Sequence, residues 1–513
     1  MGMRRMKIKE KIEKIENRLA VFSERTISNL GVLVTALLFA LSLIFTVTFQ
    51  DGYTEIPVIG WDKAPFVALF AGIFLLLIGI LHKKNILSKA DQKKILVGLM
   101  VFAYFFGAVW VMISHSFPVA DRDHVSEAAI GFLNGDYSLL MTGGYLFIYP
   151  YQLTYVAFLE LCYYLTGNGY YFFPQMINAV AVALIFYHIY RLTEELFEEK
   201  LISLLSLILS FGGISLMFFC TYVYGNILGL CFSLWAVREL IKFLKKGKLR
   251  HGISAAVLIS LGSLLKNNFI LFLIAMAVIL FVAFCREKKP VYLVILVCCF
   301  LVRTVFDHGL ERYYEERSNI EISDGQPMLG SLAMGLRDDG NAPGWHNGFD
   351  INIYRESQFD EEVTVQKAKD SIRGSLSKMK NPGYAFQFFY QKTVTQWCEP
   401  TYQALWDSNC SNNHTMELSD LADSIYYGGW NRFFVMIMDV FQTLVWGLSF
   451  YGLLKGRKEL QGAVLILPLI LLGGFVFQLF WEAKAQYNIQ YMMVMIPVAA
   501  YGLKRLLERI PGK

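Results

Sequence analysis

Between residues 118 and 152 the chain reads PVADRDHVSEAAIGFLNGDYSLLMTGGYLFIYPYQ, which sets Asp121, Arg122, Asp123, His124, Glu127 and Asp136 between two long apolar runs. Carboxylates at the mouth of a bilayer are costly unless they face water or a substrate, so they are candidate functional groups. Asp121 and Asp123 are the candidate catalytic residues, because removing a proton from an acceptor hydroxyl needs a basic group close by. Lys266 and Arg303 fall at later turns on the same side, where cations could hold a phosphate. Simple snorkelling to the interface is the plainer role for both. Glu482, Lys484 and Tyr487 close the set near the C-terminal end, and Tyr149 ends the acidic loop. An ordinary hydrated loop is the alternative reading of 118–152.

Soluble catalytic signatures are missing from the chain: it has no Walker loop, no GxSxG elbow, no HExxH and no CxxC pair. Asp121-x-Asp123 resembles the metal-binding DxD of nucleotide-sugar enzymes, which would bring a divalent cation. Nucleotide sugars are cytosolic, however, and the topology below sets this motif on the outer face. A sugar donor there has to arrive on a lipid.

The elements that position these residues follow from composition. Of 513 residues, 55% are hydrophobic and 17% charged, well below the charged fraction of soluble domains, so the chain is expected to cross a membrane repeatedly. Apolar runs of spanning length fall at roughly 29–49, 64–82, 95–114, 172–191, 200–220, 223–243, 252–266, 268–285, 290–306, 431–454, 461–481 and 488–505. Lys83, Lys84, Lys89, Lys93 and Lys94 crowd the second turn, whereas 50–62 has no basic residue. By the positive-inside rule the N-terminus and the 82–94 turn are cytosolic, and the acidic loop emerges outside. The alternation holds at later turns, with Lys242–Arg250, Arg286–Lys289, Lys455–Lys458 and Lys504–Arg509 inside.

The expected fold is therefore an all-α polytopic membrane bundle of about twelve transmembrane helices, because in lipid every backbone polar group must be satisfied within the segment. A mainly α extracytoplasmic insert precedes the last three spans. The divisions are a basic amphipathic segment at 1–28, a transmembrane part at 29–306 with a functional outer loop at 115–170, the insert at 307–430, and the last spans with a basic cytosolic tail at 431–513. Residues 151–166 read as an interfacial helix of the outer loop. In the insert, Val365, Ala368, Ile372, Leu376 and Met379 mark one helix, Asn381-Pro382-Gly383 stops it, and an aromatic-rich helix runs to Trp397. Gly335–Gly348 reads as a loop. Trp345, Trp397, Tyr402 and Trp406 are candidate stacking surfaces for sugar rings, with packing of the insert as the alternative. Asp439, inside an apolar run, is expected to pair within the bundle. Cys398 and Cys410 are a candidate disulfide, and sequons stand at Asn409 and Asn413. No cleavable signal peptide is expected.

The order of these features resembles a known family. A span emerges to an acidic first loop, continues through GDYS, GGYL and YP, and ends after many spans in a Glu-x-x-x-x-Tyr at Glu482–Tyr487. It is similar to the multi-spanning C-type glycosyltransferases that use polyprenyl-phosphate sugars, such as protein O-mannosyltransferases and lipid A aminoarabinose transferases. The resemblance implies that an acidic residue opening the first outer loop is the base, which fits Asp121 best with Asp123 as competitor. The family's Asp-Glu pair stands here as Asp121-Arg122, and Gln486 replaces the Arg of its late element. The aminoarabinose enzymes' Lys-Pro-Pro is replaced by Ile148–Gln152, so phosphate binding passes to Lys266 and Arg303. Substrate binding would fall to Glu482, Tyr487, Tyr149 and Trp345. The implied reaction is inverting transfer of a hexose from a polyprenyl-phosphate donor to an acceptor hydroxyl on a glycan, glycolipid or protein. No cofactor is required, although a divalent cation is compatible, and no nucleic acid is involved. A plasma membrane with both termini cytosolic is the expected setting. A lipid-linked saccharide flippase or transporter, and a cell-envelope polysaccharide polymerase or ligase, are the alternatives.

Overall fold

The protein is described by a computed structural model that covers residues 2–50, 54–167, 169–410 and 418–509, with side chains from Leu19 onward. Helix α1 (Gly2–Ile44) opens the chain. The basic segment and the first span, expected as separate pieces, share this one helix. The span expected to reach residue 49 stops at Ile44, because FTVTF leaves as strand β1 (Phe45–Phe49) and pairs antiparallel with β2 (Pro57–Trp61). Alternating Thr with aromatic and β-branched residues suits a half-buried strand better than a helix end. This hairpin is the departure from the all-α expectation among the described residues.

Five helices follow: α2 (Ala64–Lys83), α3 (Gln92–Ser114), α4 (Asp121–Leu133), the single turn α5 (Tyr145–Ile148) and α6 (Leu153–Thr166). Next come α7 (Phe172–Phe197), α8 (Lys200–Ser210), α9 (Ile214–Phe218), α10 (Asn226–Lys246), α11 (Leu249–Leu265), α12 (Ile270–Glu287) and α13 (Val291–Ser318). The insert holds α14 (Met328–Gly335), α15 (Phe349–Glu356), α16 (Glu361–Lys378), α17 (Pro382–Trp397), α18 (Ala404–Cys410) and α19 (Asp420–Tyr427). Helices α20 (Gly429–Gly456), α21 (Ile466–Phe480) and α22 (Ile489–Leu507) close the chain. Asp91 caps α3 and Asn381 caps α17, each accepting from two backbone amides of the first turn.

Each apolar run read from the sequence contains helix, although the first ends in strand β1 and the one at 200–220 is broken between α8 and α9. Among the described residues, eight helices are long and apolar enough to cross a bilayer, and α8 with α9 makes a ninth only if their 52° bend is one broken span. The protein is a multi-pass α-helical membrane protein. Helices α10, α11 and α22 carry the remaining runs, and their inner faces are deeply buried. Helix α22 is buried along nearly its whole length and meets α20 backbone to backbone at Gly452 and Gly502. A Cβ on Gly502 would lie 2.0 Å from the Leu448 carbonyl oxygen, so only glycine allows this approach. Asp439 of α20, expected to pair within the bundle, lies near Asp62, between the hairpin and α2; its Oδ1 and the Oδ2 of Asp62 are buried without a hydrogen-bond partner among the described residues.

The insert does not build an independent core. Ala333, Ile353 and Ala368 form a small apolar cluster of their own, whereas Trp397, Tyr402, Leu405 and Tyr426 belong to the main core. Cys398 and Cys410 are both free thiols, so the candidate disulfide is not formed. Asn409 is buried and accepts from the Tyr427 hydroxyl at 2.8 Å, which closes that sequon to modification; Asn413 lies outside the described residues.

One end of the bundle is tied by Lys245–Glu198 at 2.6 Å, Lys504–Glu199 at 3.3 Å and the Gln92 amide donating to the Lys200 carbonyl at 2.7 Å. The insert, the hairpin and α4–α6 gather at the other end. Lys84→Cys in the α2–α3 turn and Lys380→Cys in the insert are therefore expected to react with impermeant maleimide from opposite sides of sealed vesicles. Labelling of both from one side would refute this topology.

Candidate functional site

The site starts at a strained residue. Ala120 takes φ +51°, a region that non-glycine residues rarely occupy, and the next residue opens α4. Asp121 and Asp123 then stand two residues apart on a helix, which turns them to different sides. Asp121 is exposed, and its charge acts on Lys266, Lys484, Tyr145, Tyr149, Tyr151 and Tyr487. Among the described residues it makes no hydrogen bond and no ion pair. Asp123 instead lines a separate cavity of about 520 Å³ with Glu127, Asn134, Asp136 and Tyr171. The two aspartates therefore do not converge on one ion.

Arg122, between them, points inward. It lies 3.8 Å from the Asp407 carboxylate, stacks over Tyr222 at 4.7 Å, and donates to the Asp407 carbonyl at 3.4 Å. Burial pushes Asp407 up to about 7 against the pull of Arg122. This pair joins α18 of the insert to the first turn of α4.

Lys266 sits in the turn between α11 and α12 and is 8% exposed. Its ammonium lies 3.7 Å from the Tyr224 ring centre. The Tyr224 hydroxyl is held by Tyr145 at 2.8 Å and by the Gln152 amide at 2.7 Å. No carboxylate lies within ion-pair distance of Lys266 among the described residues. Burial pushes its pKa down to about 8, and Asp121 and Glu482 oppose the shift from farther off. Lys484 has the reverse balance: Glu55 at 3.2 Å and Glu482 at 3.9 Å raise its pKa despite burial. Glu55, in the hairpin, also accepts from Gln403 at 2.8 Å.

Glu482 is approached by His346 at 3.8 Å and by the Tyr487 hydroxyl at 3.4 Å, and burial raises its pKa. The stretch that carries it is fixed by Ala483, whose amide donates to the Gly344 carbonyl at 2.8 Å beside a parallel bridge to Trp345. Lys392, fully buried, donates to the Trp481 carbonyl at 2.7 Å and to the Gly335 carbonyl. It therefore caps the ends of α21 and α14 together, and burial pushes its pKa down to about 7. Gly335 allows the contact, since a Cβ there would lie 2.3 Å from the Phe480 carbonyl oxygen.

The structure thus brings Asp121, Lys266, Glu482, Tyr487 and Tyr149 into one cluster, and it leaves two expected residues out. Arg303 is engaged by Asp307 at 3.4 Å and by Asn267 at 3.2 Å, and its charge does not figure among those acting on Lys266. Trp345 is 1% exposed and donates its indole N–H to Thr395 at 3.0 Å, so it is a packing residue and offers no face to a sugar. Trp397 and Tyr402 are buried likewise. Sequence reasoning missed Glu55, Lys392, Gln403 and the second-lysine role of Lys484. Acidic residues in a loop without basic ones were a signal for Glu55; nothing local marks Lys392. Among the described residues no group of three or more His, Cys, Asp or Glu is placed to hold a metal ion.

The fold and this cluster define a polytopic membrane protein with a group of charged and tyrosine side chains at one end of its bundle. Residues 228–506, more than half of the chain, match the family described as conserved hypothetical integral membrane protein, and the chain belongs to that family. The match takes in Lys266, Lys392, Glu482, Lys484 and Tyr487 and begins after Asp121. No curated protein matches the chain.

Lys392→Met leaves two carbonyls without their donor and is expected to lower stability by roughly 1–3 kcal/mol. Thermal unfolding in detergent should show this as a lower melting temperature, and an unchanged melt would remove Lys392 as the tie between insert and bundle.

Proposed function

We propose that this protein is a membrane glycosyltransferase that moves a hexose from a polyprenyl-phosphate donor to an acceptor hydroxyl, with inversion. One observation carries the reading: among the described residues Asp121 has no hydrogen bond or ion pair, and its charge acts on Lys266, a buried ammonium with no carboxylate at ion-pair distance. Asp121 takes the acceptor proton. The acceptor oxygen then attacks the anomeric carbon, and the bond from that carbon to the phosphate oxygen breaks with its electron pair on the phosphate. The leaving phosphate is already ionised and needs no general acid. Lys266 stabilises its charge, and Lys484 adds a second cation that Glu55 and Glu482 hold in place. Glu482, Tyr487 and Tyr149 line the sugar's side of the cluster.

In this reading the bundle has twelve spans in a plasma membrane, both termini are cytosolic, and the charged cluster lies outside, as the basic turns direct. The acceptor is a glycan, glycolipid or protein reaching the cluster from that side. The similarity to C-type transferases agrees with an aspartate opening the first outer loop, and the geometry favours Asp121 over Asp123. Lys484 takes the place first given to Arg303.

Transfer of radiolabelled sugar from a synthetic polyprenyl-phosphate hexose by purified protein tests this. Asp121→Asn should lower turnover about 10²–10⁴-fold while donor still binds, as expected for loss of a general base. Asp123→Asn should stay within a few-fold of the wild type. If both variants are inert to change while the protein moves lipid-linked saccharide across liposomes, the transferase reading fails and the flippase replaces it.

The pH dependence is a separate check. Lys266 loses its proton as pH rises through about 8, so donor affinity should be full below that pH and weaken above it. Lys266→Arg keeps its charge at higher pH and should carry tight donor binding past the point where wild type declines. Lys266→Ala should weaken donor binding about tenfold, roughly 1.4 kcal/mol, below that pH, and the difference from wild type should close above it. Parallel pH curves for wild type and Lys266→Arg would remove Lys266 from the phosphate site.

A further inference from the structure

Helix α17 has two unlike sides. Phe388, Lys392, Val394 and Trp397 face inward and are buried. The other side begins with Phe386, which is 74% exposed, and continues to Phe389 and Tyr390 at helical spacing. The Phe386 and Tyr390 rings stack at 6.0 Å with planes 8° apart. Such a ring is costly to leave in water, and singly exposed aromatics are common, so the neighbours decide its meaning.

These neighbours all mark the ends of membrane helices. Tyr390 meets Phe45 at 5.6 Å, directly after the spanning part of α1. Phe45 in turn meets Trp61 at 5.3 Å, three residues before α2, and Trp61 is 80% exposed. Phe389 meets Phe480 at 6.3 Å, the last residue of α21. Trp481 stacks on Phe477 at 5.0 Å one turn further in. The aromatic side of α17 is thus continuous with lipid-facing surface at the ends of three spanning helices. Trp and Tyr concentrate at this level of a membrane.

We infer that the Phe386–Phe389–Tyr390 side of α17 is immersed in the lipid interface, so that the insert is anchored by the bilayer as well as by the bundle. The partner is the lipid surface itself: ring bodies enter the headgroup and upper acyl region, and the Tyr390 hydroxyl stays at the polar edge. Helix α16 is the contrasting case, since its Arg373, Asp370 and Lys378 are solvated.

The test uses the full chain in phosphatidylcholine liposomes. Cys298 and Cys410, the two part-exposed thiols, are replaced by Ser, and the remaining six are buried. A bimane label is placed on Phe386→Cys, or on Arg373→Cys as the solvated control; both positions are exposed, so folding should survive. Nitroxide lipid carrying its spin label high on the acyl chain should quench position 386 by about half, a depth proper to an interfacial helix, and leave 373 bright. Aqueous iodide should do the reverse. Equal iodide quenching at both positions, with no loss at 386 from nitroxide lipid, would overturn the inference. Tyr390→Cys gives the same reading one turn along if Phe386→Cys folds poorly.

Discussion

The arrangement depends on how charge is matched where the bundle meets water. A buried ammonium is disfavoured unless carboxylates or carbonyl dipoles repay its lost hydration, and three lysines here solve that in three ways. Lys484 lies between Glu55 and Glu482, and its charge is reinforced. Lys392 rests against two carbonyl oxygens at helix ends, and its charge is weakened by burial. Lys266 has the Tyr224 ring and a carboxylate at longer range, and burial wins there too. Of the three, Lys266 is the cation that an added anion would stabilise most. An ionised phosphate supplies that charge, which is why the proposed chemistry places the leaving group there.

The same matching holds the insert in place. Arg122 reaches Asp407 from the first turn of α4, Lys392 reaches Trp481 and Gly335, and Gln403 reaches Glu55. Each contact joins the insert to an element that also carries a residue of the charged cluster. Arg122 neighbours Asp121, Trp481 precedes Glu482, and Glu55 touches Lys484. Movement of the insert would therefore displace the charged cluster, and the small apolar cluster of α14–α16 gives the insert no separate stability to move with.

Much of this was legible in the sequence because the membrane simplifies the problem. Apolar runs favour helix, so each run contains one, eight of them of spanning length among the described residues, and the α16–α17 pair in the insert followed from periodicity and from Asn381-Pro382-Gly383. The hairpin was not legible: FTVTF follows an apolar run without a break, and hydropathy reads it as more span. The site was half legible. Asp121, Lys266 and Glu482 stood out as charges beside apolar runs, each visible locally. Arg303 looked equivalent to Lys266 by that measure, yet Asp307 one turn on and Asn267 engage it. Lys392 lies in a polar helix where a lysine attracts no notice, and its meaning comes only from the fold that buries it. Trp345 failed in the opposite sense, since a tryptophan in a Gly-rich loop reads as exposed until Ala483 pairs with it.

The choice between the two aspartates shows what helix geometry adds. By type and spacing Asp121 and Asp123 are equivalent, and a shared metal would be the simplest use for both. A helix begins at Asp121, however, and it turns the second carboxylate toward Glu127 and Asp136 on another surface. Of the two aspartates, Asp121 is the one whose charge acts on Lys266 and Lys484, and it is positioned by a strained Ala120 on one side and a buried Arg122 on the other. In the proposed reaction Asp121 and Lys266 are the pieces for a displacement in which only the nucleophile needs proton removal. The ionised phosphate can depart without an acid, so one carboxylate is enough.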